Sequence, residues 1–269
     1  MRSVVSLLFA ASVLSPTLLW SGPAAAQVQP HRAEYTLRLG AAANAPRVGT
    51  AVHDLTQDCA GWHLKRDIKT EIALTANWKI SLSSKLDSEE TRNAFRYSLV
   101  QMQNGVAREV KGRIQRQGGE KGGEMRAEIS PTGSAPNQFT LPSPTMMPTA
   151  AIGHLIERLA AGAKSFPALM FDAEVIGNIF LVETTEQDRA TVRSARPADR
   201  PVALPQGKSW PVFMNFSRGN QDQKPLFSVT ALVFDNGVLD RLTVETGLLT
   251  VTADLASLEM HKAPVCPRS

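Results

Sequence analysis

From Trp62 to Leu82 the even positions read Trp62, Leu64, Arg66, Ile68, Thr70, Ile72, Leu74, Ala76, Trp78, Ile80 and Leu82, whereas the odd positions are nearly all polar. A period of two is the pattern of a strand with one apolar and one wet face. As a single strand this stretch would reach about 70 Å, far beyond usual strand lengths, so the chain has to turn within it. Parity limits how. A two-residue loop at Ala76-Asn77 sets Leu74 opposite Lys79 and mixes the two faces along the whole ladder. A three-residue loop, Thr75-Ala76-Asn77, sets Leu74 opposite Trp78 and Ile72 opposite Ile80, and it is the expected solution because one face stays apolar.

Similar signals recur along the chain. Asn104-Gly105, the run from Gly118-Gly119 to Gly122-Gly123, and Asn236-Gly237 mark further hairpins. Phe95, Tyr97 and Leu99 alternate before the first, and Phe227, Val229, Ala231 and Val233 before the last. Near the end, Leu249, Val251, Ala253 and Leu255 alternate and then slip phase to Leu258 and Met260, which predicts a bulge. One helix is expected from about Pro148 to Ala163, started at Thr145 or Pro148-Thr149 and stopped by Gly162. Its apolar stripe is Ile152, Leu155, Ile156 and Leu159, continued by Ala160 and Ala163. Those four large residues form the candidate packing helix or apolar groove. The proline-rich stretch from Ser130 to Pro148 reads as a crossing segment leading into the helix. The resulting fold class is mainly β: a long antiparallel sheet wound into an open barrel or spiral, with one amphipathic helix against its concave side.

The first residues run Met1, Arg2, an apolar stretch from Val4 to Trp20, then Ala24-Ala25-Ala26. That order predicts a signal peptide over residues 1–26 and an exported single domain over residues 27–269. Pro16, Ser21, Gly22 and Pro23 interrupt the apolar run, so no transmembrane anchor is expected in the mature chain. Without Arg2 the balance is 28 Lys and Arg against 25 Asp and Glu, signs interspersed, which argues against a nucleic-acid partner. Cys59 and Cys266 stand almost at opposite ends of a chain sent to an oxidising compartment. They are read as a pair, the alternative being two unrelated buried thiols.

Signals for chemistry are sparse. The five histidines include no H-x-x-x-H pair, and neither cysteine sits in a C-x-x-C, so no metal site is expected. Gly207-Lys208-Ser209-Trp210-Pro211 resembles a nucleophile elbow only superficially, lacking its second glycine. Glu89-Glu90 and Asp58 read as solvated surface charges rather than general acids. No catalytic residue and no cofactor is assigned, and an envelope-polymer hydrolase ranks below a non-enzymatic binding protein.

Asp58-Cys59-Ala60-Gly61-Trp62, Leu141-Pro142 leading to Pro148-Thr149, Phe171-Asp172, Trp210-Pro211-Val212, Asn236-Gly237 and the late Cys266 together resemble the cell-envelope integrity EipB family. The resemblance spans about Ala33 to Cys266 and lies in the order and spacing of short motifs. It implies a periplasmic β-spiral with a helix against its interior and a disulfide between Cys59 and Cys266. It also implies a role in maintaining the Gram-negative envelope, without an established activity or ligand; a periplasmic partner protein or a lipid-like ligand is the expectation for what the chain binds. The chain departs from the family pattern at Ser83 to Ser88, and at Ala150-Ala151 after the Pro-Thr pair.

Overall fold

The computed structural model describes residues 26–42, 44–75, 78–117, 123–175, 177–189, 202–218 and 224–267. The expected signal peptide up to residue 25, the turn at Ala76-Asn77 and the glycine turn at 118–122 lie outside the described residues. The strands are β1 (His31–Leu39), β2 (Arg47–Gln57), β3 (Gly61–Thr75), β4 (Trp78–Thr91), β5 (Ala94–Gln103), β6 (Val106–Arg116), β7 (Met125–Pro131) and β8 (Asn137–Leu141). Helix α1 (Pro148–Ala160) follows, then β9 (Ser165–Asp172), β10 (Asn178–Glu186), β11 (Ser209–Arg218), β12 (Phe227–Phe234), β13 (Leu239–Glu245) and β14 (Thr250–Met260).

All fourteen strands belong to one antiparallel sheet ordered β8-β7-β6-β5-β4-β3-β2-β1-β14-β13-β12-β11-β10-β9. The chain therefore starts in the middle, works outward to β8 at one edge, crosses through α1 to β9 at the other, and returns to close on β1. The sheet does not close into a barrel. A single parallel bridge, Met146 to Met170, joins the segment after β8 to β9, with Met146 N–H donating to the Leu169 carbonyl and Phe171 N–H to that of Met146.

Closure is replaced by overlap. On β9, Met170 and Phe171 point to opposite faces, and Phe171 is fully buried with its ring 6.1 Å from those of both Phe95 and Tyr97 on β5. The edge strand of the second half thus tucks into the concave face of the first. β12 is likewise buried on both sides: Val229, Ala231 and Val233 join the larger core with α1, while Leu232 and Phe234 join a second core with Ala33, Tyr35, Leu37 and Leu255. Burying both faces of a strand is the mark of a sheet wound over itself.

Ile72 pairs with Ile80, but Thr75 rather than Leu74 stands opposite Trp78, with a register shift between Ala73 and Thr75. The odd residue that parity demands is supplied by a bulge in β3 rather than by a longer loop. At Asn104-Gly105 both residues have positive φ, +49° and +84°, the backbone of a tight hairpin turn between β5 and β6. The phase slip in β14 is a bulge: Glu34 pairs with Ser257 while Tyr35 pairs with Leu255. Gly112 lies directly under the ring of its cross-strand partner Tyr97, where any Cβ would collide with the aromatic carbons. The stretch from Ser130 to Pro148 is more than a crossing segment, since it contains the edge strand β8.

Cys59, in the turn between β2 and β3, is bonded to Cys266 beyond β14, with Cα atoms 5.5 Å apart and a sequence separation of 207. Chain-entropy arguments give so long a closure a stabilisation of about 5 kcal/mol at most. Reduction is expected to lower the melting temperature while leaving the β-sheet circular-dichroism spectrum in place, because the ladders on either side are independent of the bridge. Identical melts with and without reductant would contradict this.

Candidate functional site

Strand register builds one wall of an apolar cavity. Trp62 on β3 pairs with Glu90 on β4, Glu90 with Phe95 on β5, and Phe95 with Ile114 on β6, so one row of four side chains crosses four strands on the concave face. Over this row stands the N-terminal end of α1. Between them lies a cavity of about 630 Å³, closed further by Val28, Met125 and Met147. Its mouth carries Arg92, Arg116 and Glu157.

Glu90 is the one charged member of the row, and only 8% of it is exposed. The reading of Glu89-Glu90 as solvated charges fails at this residue. The physical reason is at the start of α1, where Met147 offers no capping side chain and Pro148 has no N–H. The first free donors are the backbone N–H groups of Thr149 and Ala150, and each donates at 2.8 Å to a different oxygen of Glu90. A carboxylate from β4 therefore caps a helix some sixty residues away and faces the positive end of its dipole. Burial still wins: it pushes the Glu90 carboxyl above its ordinary range, against the two N–H groups that lower it.

Thr145, just before α1, is buried at the cavity wall and its hydroxyl has no partner among the described residues. Asp58, by contrast, is exposed. It accepts from the N–H groups of Ala60 and Gly61 and bonds His63, which holds its carboxyl below the ordinary range through His63 first. It organises the turn that carries Cys59.

Leu155, Ile156 and Leu159 are buried in the larger core and Ile152 packs partly against it. None of these four lines the cavity. The cavity face of α1 is the adjacent one, formed by Thr149, Ala150, Gly153 and Glu157. The apolar stripe marks what the helix packs on; the residues that bound the space next to it are not part of that stripe.

Deeper in the concave face a polar cluster ties the overlap together. Glu174, in the turn after β9, ion-pairs with Arg66 on β3 and accepts from the Ser84 hydroxyl at 2.9 Å, while Gln101 donates to its backbone carbonyl at 2.9 Å. Next to Arg66, His53 stacks on His31 at 5.5 Å, and burial holds the His53 imidazole well below its ordinary pKa. The polar atoms of Glu174 are engaged with partners, which makes this cluster a fastening of the sheet. No group of three metal-ligating side chains occurs among the described residues.

Glu90→Ala leaves the buried N–H of Thr149 and the half-buried N–H of Ala150 without their acceptor and is expected to cost about 1–3 kcal/mol. The pH dependence has a definite sign. Because the folded-state pKa is raised, Glu90 contributes stability at pH values below the ordinary carboxylate range that is lost as pH rises through its raised native value. Urea unfolding across that window is expected to give a shallower fall in stability for Glu90→Gln than for the parent. Equal slopes would contradict the buried carboxylate, and an unaffected Glu90→Ala would contradict the cap.

The EipB-like family model matches residues 23–262. None of the curated proteins matches the chain. Among solved structures, the crystal structure of a beta-barrel-like protein of domain of unknown function DUF1849 from Brucella abortus is similar, with a TM-score of 0.72 and 19% identity, over 89% of this chain and 100% of that one. That likeness bears on the fold, and the spiral described above is of the same beta-barrel-like kind. With most of its length covered by the family model, the chain belongs to the EipB-like family.

Proposed function

We propose that this EipB-like protein is a non-enzymatic periplasmic binding protein that supports the integrity of the Gram-negative envelope, with the cavity beside α1 as its binding space for an apolar ligand. The observation that carries the reading is the cavity itself: about 630 Å³, floored by Phe95, Ile114 and Met125. Its size lies inside the range of small-molecule sites, and polar groups stand among its apolar lining to orient a ligand. Periplasmic location rests on the leader-like residues 1–26 and on the disulfide, which belongs in an oxidising compartment. No helix among the described residues is long and apolar enough to cross a membrane. The envelope role rests on family membership.

Gly153 offers the direct test. It lines the cavity, and a Cβ there would meet only a Val28 methyl at 3.8 Å, so a larger side chain grows into the open space. Native mass spectrometry of protein purified from its own periplasm is expected to find a copurifying lipid-like molecule on the parent and none on Gly153→Leu. A fluorescent acyl probe is expected to bind the emptied parent and not the variant. Parent protein that carries no ligand and takes up no probe would overturn the reading.

A further inference from the structure

The polar groups at the cavity mouth restrict the ligand more narrowly than the apolar floor does. Arg92 and Arg116 are both at the mouth, brought together because Arg116 N–H bonds the Asn93 carbonyl at 2.9 Å across the β5–β6 end. Arg116 places one guanidinium nitrogen 3.4 Å from the Ser143 carbonyl, and a guanidinium has five N–H donors. Planar guanidinium groups favour carboxylate and phosphate oxygens. Two carboxylates, Glu90 and Glu157, line the same cavity and disfavour a ligand head carrying more than one negative charge. Thr145, 1% exposed, also lines the cavity, and its hydroxyl has no partner among the described residues.

We infer that the cavity takes a single-chain amphiphile with a carboxylate head, a free fatty acid, its tail over Trp62, Phe95, Ile114 and Met125 and its head held by Arg92 and Arg116. The inference rests on the apolar-ligand reading above and adds the head group to it. Glu90 has its own role in this arrangement: both its oxygens are engaged by Thr149 and Ala150, so the helix start is capped without help from the ligand. The carboxylate end thus lies at the mouth and the tail end at the floor.

Trp62 in the cavity wall supplies the readout. Bromine-labelled stearic acid should quench its emission saturably, and the same titration on Trp62→Phe should lose that component. The methyl ester, equal in tail but without the charge, should bind at least about tenfold more weakly, as should the acid on Arg92→Ala and on Arg116→Gln, because charge-assisted hydrogen bonds are worth about 1.5–3 kcal/mol each. Arg116→Gln keeps a donor for Ser143, and melting curves matching the parent establish that both variants are folded. Equal binding of acid and ester, or unchanged binding by the arginine variants, overturns the carboxylate assignment while leaving the apolar-ligand reading standing. An alkyl phosphate binding more tightly than the acid also overturns it, in favour of a phosphate head. Failure of every probe to reach Trp62 overturns both.

Discussion

The fold depends on the docking of the β9 edge into the concave face of β3, β4 and β5. An antiparallel sheet this wide has one apolar side to hide and two unpaired edges to protect. Winding over itself answers both needs. Phe171 fills the space against Phe95 and Tyr97, and the Glu174 turn that follows is held by Arg66, Ser84 and Gln101. The apolar contact supplies most of the stabilisation, because a fully buried aromatic side chain removes a large area from water. The ion pair sets the register, since a charge left unpaired at Arg66 or Glu174 would be costly in a half-dry interior.

This overlap also decides where empty space remains. Helix α1 fills the middle of the concave side with Leu155, Ile156 and Leu159, and the β9 edge fills the part beside β5. What is left is the end of the sheet where β4 turns into β5, and there Glu90 caps the helix across the cavity. The same carboxylate fixes the helix start and gives the cavity a polar end. Position of the helix and shape of the cavity are thus one geometric fact.

Local pattern was enough to read the strands and the helix but not their overlap. The alternation through Trp62 to Leu82 carried the pairing of Ile72 with Ile80, because a slipped register would have exposed every apolar residue of one face. It could not distinguish a longer loop from a bulge, since each shifts parity by one. Leu258 and Met260 announced the β14 bulge for the same reason. By contrast, nothing local marks β12 as buried on both faces, because Leu232 and Phe234 look like ordinary strand residues until a second layer covers them. Glu90 was missed on similar grounds: its neighbours Glu89 and Thr91 are exposed, and its true partners lie at the start of a distant helix. The one available cue was negative, a helix beginning Met147-Pro148 with no capping side chain of its own, which requires an acceptor from elsewhere.

The overlap is tested most directly by a double-mutant cycle on Phe95 and Phe171, which lie on strands far apart in the sheet order and meet only if the sheet is wound over itself. Phe95→Leu, Phe171→Leu and the double variant would be compared by urea unfolding. A coupling energy of about 0.5–1.5 kcal/mol is the expected result for a buried edge-to-face pair. Additive effects, within about 0.3–0.5 kcal/mol, would mean that the two rings do not touch and that β9 does not lie inside the first half of the sheet.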